Sequence, residues 1–199
     1  DHRESRGLGD VYKRQILSRC GWRVSPFKGQ NMALNSYVTS TGQEMGHAQA
    51  VQAWAAGLTP AIEMNPILLK PQGDMTSQVI IKGKALGTVR AIDYYQEYFD
   101  IGWKTICESL EILSQQFDII VCEGAGSPAE INLKHRDLTN MRVAKYLSAS
   151  TILVVDIDRG GAFAHIIGTL ELLEPEERNL IKGITVSYTH LRAHETHDD

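Results

Sequence analysis

Two uninterrupted apolar runs, each stopping abruptly at glycines and charge, constrain this chain more than any other feature. Asp118-Ile119-Ile120-Val121-Cys122 stops at Glu123-Gly124-Ala125-Gly126, and Thr151-Ile152-Leu153-Val154-Val155 stops at Asp156-Ile157-Asp158-Arg159-Gly160-Gly161. A third run, Gly183-Ile184-Thr185-Val186, lies near the end. Runs of this length with no polar alternation suit strands buried on both faces, as in a parallel sheet covered by helices. Amphipathic stretches fall between them, at about 138–147, 163–173 and 175–180. The expectation is an α/β fold, mostly parallel sheet flanked by helices. Such sheets bind ligands at the carboxyl ends of their strands. The polar clusters stand at those ends.

Upstream, Arg23–Phe27 reads as a short strand and Gly29–Thr41 as polar and mostly irregular. Thr41-Gly42-Gln43-Glu44 matches a capping box, which places a helix start there. The helix runs through Ala48, Ala50, Ala53, Ala55 and Ala56 and stops near Gly57. Pro66–Lys70 and Gln78–Lys82 read as extended. One long amphipathic helix is expected within 91–117, with Ile106, Leu110 and Leu113 at helical spacing.

Composition removes whole classes of function. The 199 residues carry 20 basic and 24 acidic side chains, a formal charge of −4, which disfavours an electrostatic nucleic-acid binder. No apolar run approaches the roughly 18 residues of a membrane span. No secretory signal is read at the charged start, Asp1-His2-Arg3-Glu4. Three cysteines, Cys20, Cys107 and Cys122, are too few and too scattered for a disulfide framework or zinc site, which fits a reducing cytoplasm. Cys122 lies inside an apolar run and reads as a buried thiol. His47, His135 and His165 are isolated and read as packing, capping or surface residues.

Three places carry chemistry. Glu123 follows a strand and precedes glycines, where a carboxylate can reach a phosphate-bound Mg²⁺ or can equally cap the next helix. Asp158, Arg159 and Gly160 precede a helix start, where Asp158 suits a metal or water and Arg159 a carboxylate or phosphate; an Asp–Arg pair shaping the turn is the structural alternative. Lys28 follows a strand beside Gln30, Asn31, Asn35 and Ser36, a dense set of amides and hydroxyls suited to a polar ligand or simply to a loop. No Walker loop of the pattern G-x-x-x-x-G-K-[ST] occurs; it would be expected before the helix that ends near Arg19.

The ends differ from the middle. Residues 1–15 show almost no apolar periodicity, and 187–199 are polar with His190, His194 and His197. Both read as non-native segments, leaving 16–186 as the domain proper.

Pro26-Phe27-Lys28-Gly29-Gln30-Asn31-Met32-Ala33-Leu34-Asn35-Ser36, Glu44-Met45-Gly46-His47-Ala48-Gln49-Ala50, Met64-Asn65-Pro66-Ile67-Leu68-Leu69-Lys70-Pro71 and Glu123–Leu133 occur in unbroken order with Asp156–Gly161. Together they resemble the cobyric acid synthase family over about residues 16–186. The resemblance implies a P-loop-NTPase-like fold of the dethiobiotin synthetase type, here truncated at both ends. It implies the cytoplasmic enzymes of cobalamin biosynthesis that use ATP and Mg²⁺. ATP phosphorylates a peripheral carboxylate of adenosylcobyrinic acid a,c-diamide, and ammonia released from glutamine displaces the phosphate. The b, d, e and g carboxylates are amidated in turn.

By the same resemblance Glu123 is the Mg²⁺ ligand and Lys28 contacts the phosphates or the acyl phosphate. Gln30, Asn31, Asn35 and Ser36 line the corrinoid side, and Asp158, Arg159 and Gly160 sit at the substrate-facing helix terminus. The family's P-loop does not match DHRESRGLGDVYKRQ, Ser187 onward replaces its Asn-Arg-Phe segment, and its glutamine amidotransferase domain is missing. The fragment alone is therefore expected to be inactive and poorly soluble. The partners implied are a corrinoid and ammonia from the missing domain, with no nucleic acid or membrane; a homo-oligomer is left open. The alternatives are a cobyrinic acid a,c-diamide synthase relative, a non-catalytic corrinoid-binding remnant, and a partition-type ATPase.

Overall fold

Apolar β-strands followed by polar turns generate the pairing on which everything else is hung. The computed structural model describes residues 13–158 and 160–187. They belong to two compact units that divide between Ala125 and Gly126. The first holds helix α1 (residues 13–19), β1 (Val24–Phe27), β2 (Gln30–Met32), β3 (Ser36–Val38), β4 (Glu44–Gly46), α2 (His47–Ala55), β5 (Ile67–Pro71), β6 (Thr76–Ile81), β7 (Lys84–Arg90), α3 (Ala91–Glu97), α4 (Phe99–Gln116) and β8 (Ile119–Cys122).

β1 and β8 pair in parallel, with Val24 opposite Ile119 and Phe27 opposite Cys122. They are far apart in sequence, so their register needs fixing at both ends. At the entry, Arg23 makes a two-pronged ion pair with Asp118, at 2.5 and 3.1 Å. At the exit, the Glu123 N–H donates to the Phe27 carbonyl at 2.8 Å and carries the ladder one step further. Val24 and Phe27 are buried, and so are Ile106, Leu110 and Leu113 of α4, spaced to present one face. The alanines of α2 that face inward, Ala50 and Ala53, have no exposed surface, and α2 packs closely on β1.

A second sheet of order β2-β5-β6-β7 combines a parallel β2–β5 pair with an antiparallel β5–β6–β7 meander. Ile67, Leu68, Leu69, Val79, Ile80 and Ile81 are its buried apolar residues. In the second unit, β9 (Thr151–Asp156) and β10 (Ile181–Ser187) pair in parallel, with α5 (Met141–Leu147), α6 (Ala162–Leu172) and α7 (Pro175–Leu180). The architecture is thus α/β with parallel strand pairs flanked by helices.

Three expectations need correction. Thr41-Gly42-Gln43-Glu44 is no capping box: Thr39–Gln43 make the turn of the β3–β4 hairpin. The Thr39 N–H donates to the Gln43 carbonyl at 2.8 Å, and the Thr41 hydroxyl donates to Gln43 Oε1 at 2.7 Å. Gly42, at φ 79°, supplies the left-handed residue that this turn needs. The helix instead starts at His47 after an extended Gly46. Residues 29–41 are less irregular than expected, because the short strands β2 and β3 find partners in β5 and β4. The long amphipathic helix expected within 91–117 is present as α4, and the shorter α3 precedes it, set off at Tyr98. Finally, β9 and β10 are not buried on both faces, since Ile152, Val154 and Ile184 are exposed.

Candidate functional site

The β1–β8 register places Lys28 and Glu123 side by side at the carboxyl ends of two adjacent parallel strands. Lys28 Nζ donates to Glu123 Oε1 at 3.0 Å, with the two side chains 13% and 23% exposed. That exposure keeps the pair reachable from solvent while shielding it enough for its charges to matter. Glu123 Oε2 accepts from Gln52 Nε2 at 3.0 Å, so each carboxylate oxygen has its own donor.

Lys28 is held by its backbone as well. Its N–H donates to the Met64 carbonyl at 2.9 Å, and its carbonyl accepts from Asn65 Nδ2, also at 2.9 Å. The buried Asn65 also donates to the Ile67 carbonyl, and its Oδ1 accepts from the Gly46 N–H at 2.8 Å. One amide thereby ties the end of β1 to β5 and to the start of α2.

The neighbouring amides are mostly engaged. Asn31 is buried and donates Nδ2 to Gln49 Oε1 at 2.8 Å. Gln30 Oε1 accepts from the Tyr94 hydroxyl at 2.7 Å. Asn35 has an exposed side chain, and its carbonyl accepts from the His47 N–H at 3.3 Å. Ser36 opens β3 and bonds Glu44, which also pairs with Lys70. Burial pushes the Glu44 carboxyl up, but the bonds from Lys70 and Ser36 and the Lys70 charge together hold it below its ordinary value.

Asp158 and Gly160 belong to the second unit. The Asp158 N–H donates to Asp156 Oδ1 at 2.9 Å, and the Gly160 N–H to the Ile157 carbonyl at 3.0 Å. Gly160 and Gly161, at φ 72° and 64°, make the left-handed entry into α6. Arg159, His190, His194 and His197 lie outside the described residues. A groove of about 470 Å³ in this unit is lined by Lys134, Asp137, Arg142, Lys145 and Glu177, but Lys134 is committed to Glu174 and Glu177, and Lys145 pairs with Glu176.

Burial pushes the thiol of Cys122, next to Glu123, up to about 12 against the lowering effect of the Arg14 charge, which disfavours the thiolate. Among the described residues no three His, Cys, Asp or Glu side chains gather to hold a metal. A Mg²⁺ that brings phosphate ligands needs only one or two carboxylates from a protein, and the partly exposed Glu123 offers one here. Among the described residues no helix is long and apolar enough to cross a membrane.

Sequence reasoning missed Gln49, Gln52, Asn65 and Tyr94. A signal existed for the first two. They stand three apart on an alanine-rich helix, on the face that carries Ala50 and Ala53, and a polar residue on a buried stripe is informative.

No family model matches the chain. Curated relatives do. The chain is 87% identical over 173 residues to the cobyric acid synthase of Trichodesmium erythraeum, 76% to that of Microcystis aeruginosa and 75% to that of Nostoc punctiforme. Over those residues the chain matches a segment of the cobyric acid synthases. In each comparison 87% of this chain is covered, against 36% of the Trichodesmium protein and 35% of the other two. The chain thus spans about a third of the length of the relatives it matches.

Proposed function

We propose that this chain is part of an ATP-dependent, glutamine-dependent amidating ligase that converts adenosylcobyrinic acid a,c-diamide to adenosylcobyric acid. In this reading the γ-phosphoryl group of ATP passes to a peripheral corrinoid carboxylate, giving an acyl phosphate and ADP. Ammonia from glutamine hydrolysis attacks the acyl carbon, and the amide forms as phosphate leaves. The b, d, e and g carboxylates are the acceptors.

The observation that carries the reading is the Lys28–Glu123 pair at the carboxyl ends of β1 and β8. Lys28 balances charge on the phosphoryl oxygens and on the acyl phosphate, and its ammonium needs only to shift from Glu123 to a phosphate oxygen. Glu123 is the residue that would hold Mg²⁺, which neutralises phosphate charge when bound. No protein nucleophile is required, because phosphoryl transfer rests on positioning and charge. Asn65 fixes the Lys28 backbone for that purpose. Gln30, Asn31, Asn35 and Ser36 are assigned to the corrinoid side, and Asp158, Arg159 and Gly160 to the substrate-facing helix entry.

The reading concerns residues 16–186. The flanks 1–15 and 187–199 are proposed as foreign to it, supported by a matched length of 173 among 199 residues. The amidotransferase domain that supplies ammonia is proposed to lie in the part of the relatives that this chain does not span. The proposed location is the cytoplasm, where ATP and the corrinoid are available.

The test is genetic. The full-length protein that carries this segment is expressed in a bacterium lacking its own cobyric acid synthase. Growth that depends on cobalamin synthesis is expected to return with the wild type and to fail with Lys28→Met and Glu123→Gln. Failure of the wild type, or rescue by both variants, overturns the reading.

A further inference from the structure

Gln52 is a buried amide at the site that is hydrogen-bonded at one end only. The residue is 2% exposed, and its Nε2 donates to Glu123 Oε2 at 3.0 Å. Chemistry fixes which end faces Glu123: an ionised carboxylate only accepts, so the amide must turn its nitrogen to it. Oε1 is then buried and has no hydrogen-bond partner among the described residues. Gln49, one turn earlier on α2, differs, because its Oε1 accepts from Asn31.

An orphaned buried acceptor costs stability, and packing alone does not call for one. Ala50 and Ala53 already close α2 onto β1. A methionine or leucine would fill the space of Gln52 without the cost. Retaining an amide that is only half satisfied makes sense where a donor joins it during function.

We propose that Gln52 is a positioning residue for phosphoryl transfer. Its Nε2 fixes the Glu123 carboxylate, and its Oε1 accepts a hydrogen bond from an N–H or O–H donor that arrives with the substrate complex. The proposal rests on the reading of Lys28 and Glu123 as the reaction centre. It assigns Gln52 no contact with the transferred group. Its effect runs through the direction in which Glu123 presents its oxygens, so it belongs to the chemical step and not to substrate affinity.

The test is Gln52→Met in the full-length protein, with Lys28→Met in parallel. Methionine keeps the length and nearly the volume but neither donates nor accepts strongly. The expected result is a kcat for corrinoid amidation lowered about tenfold or more. KM for ATP and corrinoid should stay within about twofold, and the melting midpoint should be unchanged or higher, since the orphan is gone. A kcat within about twofold of wild type, or loss of folding, makes the amide a packing element and overturns the proposal. If Lys28→Met loses kcat while Gln52→Met keeps it, this proposal alone fails. If Lys28→Met also keeps it, the reaction-centre reading fails and takes the proposal with it.

Discussion

Lys28 and Glu123 follow the last paired residues of β1 and β8, so strand register alone brings them together across 95 positions of sequence. The pair is half-buried, and removing one charge leaves the other poorly solvated. Lys28→Met is expected to lower stability by about 1–3 kcal/mol, read from urea unfolding. The double variant Lys28→Met, Glu123→Gln should lose less than the sum of the two single changes, because neither charge is then stranded. Arg23 and Asp118 close the other end of the same strand pair. The Arg23 side-chain and backbone hydrogen bonds, helped by its charge, hold the Asp118 carboxyl below its ordinary 3.8 against a smaller desolvation effect. A depressed carboxylate stabilises the fold above its unfolded value and loses that contribution as pH falls through its folded value. Melting midpoints should therefore drop as pH falls below about 4, and Asp118→Asn should flatten that fall. A pH profile identical to wild type in Asp118→Asn would contradict this.

Gly46 joins β4 to α2 at the point where three amides converge. A Cβ there would stand 2.5 Å from Gln49 Oε1, 2.6 Å from Asn31 Nδ2 and 2.9 Å from Asn65 Oδ1. Those atoms are tied to the β1 exit through Asn65 and to one another, so they cannot easily retreat. Gly46→Ala is expected to cost about 1–3 kcal/mol by overpacking, measured by thermal or urea unfolding. In the second unit, Lys134 bonds the buried Glu177 of the α7 capping box at 2.7 Å and the exposed Glu174 at 2.9 Å. Lys134→Met should destabilise that unit by about 1–3 kcal/mol, seen as earlier exchange of the α7 amides. Much of this was legible in the sequence. The strand-end positions of Lys28 and Glu123 follow from two apolar runs and what terminates them. The β3–β4 hairpin was not legible, because Thr41-Gly42-Gln43-Glu44 carries the residues of a helix cap and of a Gly turn alike. What decides between them lies elsewhere in the chain: the Glu44 N–H donates to the Gly83 carbonyl at 3.2 Å, which holds β4 extended. Strand β7 was missed because Lys84–Arg90 is almost wholly exposed and interrupted by Gly87, so it shows no period-two pattern. Gln52 was hidden by its alanine neighbours, and its role appears only when β8 delivers Glu123 to it.

The chain covers about a third of the length of its cobyric acid synthase relatives, and its described residues leave apolar side chains open to solvent. Ile152, Val154 and Ile184 on β9 and β10, with Phe163 and Ile167 on α6, are between 46% and 82% exposed. Apolar surface of that kind promotes association. The 199-residue chain is expected to self-associate in sedimentation, and replacing Ile152 and Val154 by Thr should shift it toward monomer. A monomeric wild type would contradict this. The central claim is that the Lys28–Glu123 pair is a phosphoryl-transfer centre. It is tested most directly by corrinoid-dependent ADP formation in the full-length protein. The account predicts that Lys28→Met and Glu123→Gln each lower kcat by about a hundredfold or more while the protein stays folded. A folded variant of either kind that forms ADP within about twofold of the wild-type rate would contradict it.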